Sequence, residues 1–133
     1  MAKVGFQWGS QNPDEATDWA ASLPKGGEQS MAIREIYRAW THQRFENATA
    51  SLDRLEPTLR DQALIGIIHE RMNASVSDAA DLSLRVFDSP TRAELLDSVF
   101  QRWGRSNPTE ASAWLQRSAL PQPLQTQLRA RIP

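Results

Sequence analysis

The stretch Asn12-Pro13-Asp14-Glu15-Ala16-Thr17-Asp18-Trp19-Ala20-Ala21-Ser22-Leu23-Pro24 is answered late in the chain by Asn107-Pro108-Thr109-Glu110-Ala111-Ser112-Ala113-Trp114-Leu115. Each opens on asparagine, a residue whose side chain caps helix N-termini. Proline follows at the first helical position and glutamate two residues later, the order of a capping box. Ala16, Trp19, Ala20 and Leu23 then fall at i, i+3, i+4 and i+7, one apolar stripe of a 3.6-residue period. Pro24 cannot continue such a helix.

Working outward, the same punctuation recurs. Trp8, Trp40, Met72 and Trp103 are 32, 32 and 31 residues apart. In that register Ile33, Ile65 and Leu96 share a column. So do Ile36, Ile68 and Val99, and so do Tyr37, His69 and Phe100. Earlier in each unit Ala16, Ala48, Ala80 and Ala111 align, followed by Ala20, Leu52, Leu84 and Leu115. Leu23, Leu55 and Phe87 close the segment, with Leu120 in the last unit after a two-residue insertion. Pro24, Pro57, Pro90 and Pro121 mark the turn that follows. No stretch alternates with period two, so no strand is expected. The spacing predicts helices near 13–22, 28–41, 45–55, 58–72, 77–87, 91–104, 108–118 and 122–132. A single hairpin of this size cannot bury its own apolar face, and stacked neighbours can.

The pattern of Trp8, Asn12, Pro13, Ala16, Trp19, Leu23 and Pro24, and again of Trp103, Asn107, Pro108, Ala111, Trp114, Leu115, Leu120 and Pro121, resembles the helical-hairpin repeats of bacterial α-solenoid proteins. It is similar in architecture to tetratricopeptide and HEAT-like repeats. It departs from the tetratricopeptide pattern in its shorter period and in lacking an internal Leu-Gly. The middle units depart further: Arg44-Phe45 stands for Asn-Pro, and Ser51 and Ser83 stand for the tryptophan. The resemblance implies an all-α fold, a short right-handed α-solenoid of about four antiparallel helix pairs in one domain. The units would be about 8–39, 40–71, 72–102 and 103–133. It also implies a scaffold that holds another macromolecule along a groove; such repeats occur as non-catalytic parts of larger enzymes and assemblies too. Val4 and Trp8 fall in the columns of Ile36 and Trp40, like the tail of a preceding helix. Val4, Phe6 and Trp8 give no polar capping face, so a homo-oligomer formed through the solenoid ends is expected.

Composition narrows the function. The 133 residues carry 15 Lys plus Arg against 16 Asp plus Glu, a net charge of −1, with 40% apolar residues. That balance gives no charge-driven nucleic-acid binding, so no nucleic-acid partner is expected. No apolar run approaches the roughly 20 residues of a membrane span, and no signal-peptide core is seen. A cytoplasmic location is therefore favoured over a periplasmic one. With no cysteine and two histidines, thiolate chemistry and cysteine metal sites are excluded. His69-Glu70 lacks the second histidine of a zinc-binding helix, and its column holds Tyr37 and Phe100, so a packed ring is expected. Neither a phosphate-cradling glycine loop nor a nucleophile elbow is present. No enzyme activity, cofactor or metal is predicted.

The candidate partner-binding residues are carboxylates and tryptophans. Asp14, Glu46 and Asp78 take equivalent places in successive units, and Asp18 and Asp53 lie further along the outward side of the first helices. Stacked in register they form an acidic row, although a first-turn carboxylate also stabilises its own helix by about 0.3–1 kcal/mol. Trp8, Trp40 and Trp103 belong to the core stripe. Trp19 and Trp114 share a column with serine and are placed at its edge, where tryptophan serves as an interface anchor. Arg102, Arg105, Arg117, Arg129 and Arg131 would make a basic end. The expected partner is a protein or peptide lying on the first helices, with an apolar anchor and the acidic row giving specificity.

Overall fold

The computed structural model describes residues 12–133, so Val4, Phe6 and Trp8 lie outside the described residues. Among them every element is helical: α1 (Pro13–Ala21), α2 (Gly27–Ala50), a 3-10 turn (Ser51–Arg54), α3 (Pro57–Ala74), α4 (Val76–Ser83), α5 (Ser89–Ser106), α6 (Pro108–Arg117) and α7 (Gln122–Arg129). The chain forms two compact units, which divide between Ala74 and Ser75.

Helix α2 is two helices run together. Arg44, at φ −145° and ψ 76°, leaves helical geometry inside it. The same bent-out conformation stands before three other helices: Asn12 at −151° and 71°, Ser75 at −156° and 103°, Asn107 at −153° and 78°. These four junction residues are 32, 31 and 32 apart. The eight expected helical segments are therefore found, with 45–55 fused to its predecessor and ending in the 3-10 turn. Segment 77–87 was expected four residues too long, because α4 ends at Ser83.

Counting from the junctions corrects the register of the third segment. The alanines four residues on are Ala16, Ala48, Ala79 and Ala111, and all four are fully buried. Eight residues on come Ala20, Leu52, Ser83 and Leu115, again buried. The expected column members Leu84 and Phe87 are instead exposed, and Leu82 and Val86 take the core. The physical cause is the shorter link before Ser75: it follows Met72 by three positions, where Arg44 follows Trp40 and Asn107 follows Trp103 by four. One residue less turns the following helix by about 100° against the earlier alignment.

In the first unit the core is Ile33, Ile36 and Tyr37 from α2 against Leu64, Ile67 and Ile68 from α3. Helices α2 and α3 approach so closely at Gly66 that a Cβ there would collide with the Arg34 carbonyl. In the second unit Phe100, Trp103 and Trp114 form a cluster with ring centroids 5.5–6.0 Å apart. Gly104 meets the Arg131 backbone as closely as Gly66 meets Arg34.

Each hairpin is closed by a long donor side chain from its second helix. The last carbonyls of a helix have no intrahelical donor. Gln29 Nε2 donates to the carbonyls of Ala20, Ala21 and Leu23 at 3.1–3.3 Å. Arg60 donates to those of Leu52 and Leu55, Arg92 to that of Val86, and Gln125 to that of Leu120. Asn107 caps α6: its Oδ1 accepts from the Glu110 amide at 3.1 Å and its Nδ2 donates to the Glu110 carboxylate at 3.4 Å, while its backbone N–H is held by the Trp103 carbonyl, so the full capping box does not form. At Asn12 the side chain makes no capping bond, contrary to the sequence expectation.

Candidate functional site

A concavity of the first unit lies beside α1. It measures about 170 Å³ and is lined by Asp14, Thr17, Asp18 and Ala21 of α1, Tyr37 and Trp40 of α2, and Ser51, Arg54 and Leu55 beyond the kink. Asp14 and Asp18 share a face because they are four residues apart on one helix. Both are exposed, as is Arg54. The Arg54 Nη2–Asp14 Oδ1 pair, 3.2 Å long with both side chains 69% exposed, is loosely held and open to exchange with another charge.

The floor is buried and hydrogen-bonded. Tyr37 is fully buried, its hydroxyl 2.7 Å from Ser51 Oγ, and Ser51 in turn donates to the Ala48 carbonyl. Burial pushes the Tyr37 phenol above its ordinary value, against the Ser51 hydrogen bond and the nearby Arg54 charge. The phenol therefore stays neutral. Trp40 packs on Tyr37 at 5.3 Å between centroids and keeps 6% of its surface exposed. The site thus offers two carboxylates and one guanidinium at its rim, over hydroxyls and ring edges.

The remaining expected residues fall in different places. Glu46 and Asp53 are exposed and, counted from Arg44, hold the places that Asp14 and Ala21 hold from Asn12. They do not line the concavity. Asp78 leaves the row: it stands three residues after Ser75, where Glu15 and Glu110 stand after their own junctions, and its amide is capped by Ser75 Oγ at 3.3 Å. Ser77 and Thr109 stand two residues after Ser75 and Asn107, where Asp14 stands two after Asn12. Trp19 is half-buried, as an edge position requires. Trp114 is not at an edge. It is 7% exposed, packed at steep angles against the Phe100 and Trp103 rings, and its Nε1 donates to Asp81 Oδ1 at 2.8 Å, which leaves little of the ring to anchor a partner. Leu82, which stands at that position after Ser75, is equally buried.

His69 is more exposed than its column-mates Tyr37 and Phe100, and its ring is partly shielded by the fold. Partial burial and the charges of Arg34 and Arg38 hold its imidazole below 6.5, against the opposing pull of Glu35. His42 pairs with Glu70 at 2.7 Å, and Arg38 approaches the same carboxylate at 3.6 Å. The basic end is partly neutralised, since Arg131 makes a two-pronged contact with Asp97 at 2.9 and 3.1 Å. Among the described residues no three His, Cys, Asp or Glu side chains gather as a metal site, and no helix is long and apolar enough to cross a membrane. No protein family, curated protein or solved structure matches the chain.

Proposed function

We propose that the chain is a non-catalytic helical-repeat scaffold that binds a protein or peptide on the outward face of its first helices. The observation that carries this reading is the concavity beside α1. Its rim holds Asp14 and Asp18 in solvent, with Arg54 tied to Asp14 alone, while Tyr37, Ser51 and Trp40 floor it. A lysine or arginine from a partner would replace Arg54 as the cation facing Asp14 and Asp18, and its aliphatic stem would lie against Trp40. Glu46 and Asp53 extend the same negative face along the next helical segment. The acidic specificity therefore belongs to residues 12–54, and Asp78 and Trp114 are dropped from it. Support for the repeat itself comes from the four junction residues and the four buried alanines at one fixed distance from them.

Selection from a random peptide library displayed on phage tests this directly. The expected outcome is enrichment of peptides with a basic residue beside an apolar one. Asp18→Lys and Asp18→Lys/Asp53→Lys should abolish capture while leaving the melting temperature within a few degrees. Peptides captured equally by wild type and both variants would exclude the acidic face as the binding surface.

A further inference from the structure

We propose, resting on the peptide-binding reading above, that the indole N–H of Trp40 is the second recognition point of the concavity beside α1. It donates to a main-chain carbonyl of the same peptide whose basic residue meets Asp14 and Asp18. The protons of the floor decide this. Thr17 Oγ1 donates to the Pro13 carbonyl at 2.7 Å, and Ser51 Oγ donates to the Ala48 carbonyl at 2.8 Å. A hydroxyl has one proton. With that of Ser51 committed, the 2.7 Å contact between Tyr37 and Ser51 is made by the tyrosine's proton. All three hydroxyl protons are thus spent within the protein. Trp40 differs. Its ring packs on Tyr37, but its Nε1 has no hydrogen-bond partner among the described residues. Of the described residues that floor the concavity, Trp40 holds the donor that is left.

Two comparably buried tryptophans show how the fold otherwise treats this group. Trp103 Nε1 donates to Glu110 Oε1 at 3.2 Å, and Trp114 Nε1 to Asp81 Oδ1 at 2.8 Å. Trp40 stands four residues before Arg44, as Trp103 stands four before Asn107. Glu110 follows Asn107 by three positions, and Asn47 follows Arg44 by three. The carboxylate that satisfies Trp103 therefore has no counterpart at Trp40. Trp40 is 6% exposed and lines the concavity. Its N–H is not sealed from solvent as the Thr41 hydroxyl is, so the donor opens where the ring does. The acceptor it awaits is neutral. Asp14 and Asp18 stand at the rim, and a carboxylate or phosphate brought beside them would be repelled. A peptide carries a neutral acceptor at every residue in its main-chain carbonyl. In a basic residue that carbonyl is tied to the cation that faces the two carboxylates.

Proton–nitrogen NMR of the full chain reads the indole N–H directly. Two probes are compared. Acetyl-glycyl-arginyl-glycinamide has the cation and the carbonyls, and butylguanidinium has the cation alone. The tripeptide is expected to shift the Asp14 and Asp18 amides, to move the Trp40 indole proton downfield and to slow its exchange with solvent. Butylguanidinium is expected to shift the same amides and leave the Trp40 indole in place. The Trp103 and Trp114 indoles should stay put with both. Trp40→Phe should bind the tripeptide about three- to tenfold more weakly, as the loss of one neutral hydrogen bond requires, and butylguanidinium as wild type does. The wild-type indole readout stands by itself if Trp40→Phe does not fold. Tripeptide shifts at Asp14 and Asp18 with a silent Trp40 indole would overturn this proposal and leave the peptide-binding face standing. Equal movement of that indole with both probes would do the same. No shift at Asp14 and Asp18 with either probe would overturn both.

Discussion

Thr41 is 5% exposed, and its hydroxyl meets no hydrogen-bond partner among the described residues. A buried donor left unmade costs about 1–3 kcal/mol, and valine has nearly the same shape without it. Thr41→Val is therefore expected to raise the melting temperature, and a fall in thermal denaturation would refute the reading. Gly66 behaves oppositely. The Arg34 carbonyl occupies the space a Cβ needs, and backbone cannot swing aside as a side chain can. Gly66→Ala should destabilise by about 1–3 kcal/mol in urea unfolding; a neutral result would mean that α2 and α3 part without cost. Trp114 is the third such residue. Truncation to alanine should cost about 3–5 kcal/mol, and Trp114→Phe clearly less, because a smaller ring keeps much of the contact with Phe100 while the Asp81 bond and part of the ring volume are lost. At this scale the sequence was legible for Trp40 and Trp103, which keep helical spacing with apolar neighbours. It was not for Trp114. Its column-mate Ser51 marks a place where a small buried hydroxyl bonds Tyr37, and that bond has no signature in spacing.

The helices themselves were readable from their punctuation: asparagine or serine before α1, α4 and α6, a proline in the first turn of every helix but α4 or in the turn before it, and a stripe of period 3.6. Two features were not. Arg44 breaks α2 without a proline or a glycine, so the sequence suggested a gap where the helix bends in one residue. The other is the register of α4. One residue removed before Ser75 cannot be told from one removed later by matching alanines, since Ala79 and Ala80 are adjacent. Backbone angles at the junctions decide it. The closing donors also belong to this scale. Gln29 satisfies three carbonyls at the end of α1 and its turn, so Gln29→Leu should lower stability by about 1–3 kcal/mol. Hydrogen exchange should quicken first at the α1–α2 turn; uniform change across the chain would argue against a local cap.

For the molecule as a whole, pH separates the two units. His69, in the first, has its folded value held below its ordinary 6.5. Its unprotonated form is the one the fold prefers, so its contribution is complete above about pH 6.5 and fades as pH falls through the lowered value. Asp97, in the second, is raised by partial burial but lowered more by hydrogen bonds from Arg131, Gln101 and Gln127, and ends below 3.8. Its contribution is present above that pH and is lost in stronger acid. Melting curves should therefore show two acid-sensitive ranges. His69→Gln should flatten the upper one and Asp97→Asn the lower, and an unchanged profile in either variant would remove that group from the account.

Function was the least legible level, because an acidic face depends on which carboxylates share a surface. Asp14 and Asp18 do, by helical spacing alone. Asp78 was counted with them only through the register that Ser75 corrects. The central claim is that Asp14 and Asp18, over Tyr37 and Trp40, receive a partner's basic side chain. The most direct measurement is amide chemical-shift mapping of the full chain titrated with a selected basic peptide. The largest shifts are expected at residues 14–21 and 51–55, with no saturable shifts in Asp18→Lys. Shifts centred elsewhere, or the same map in the variant, would contradict it.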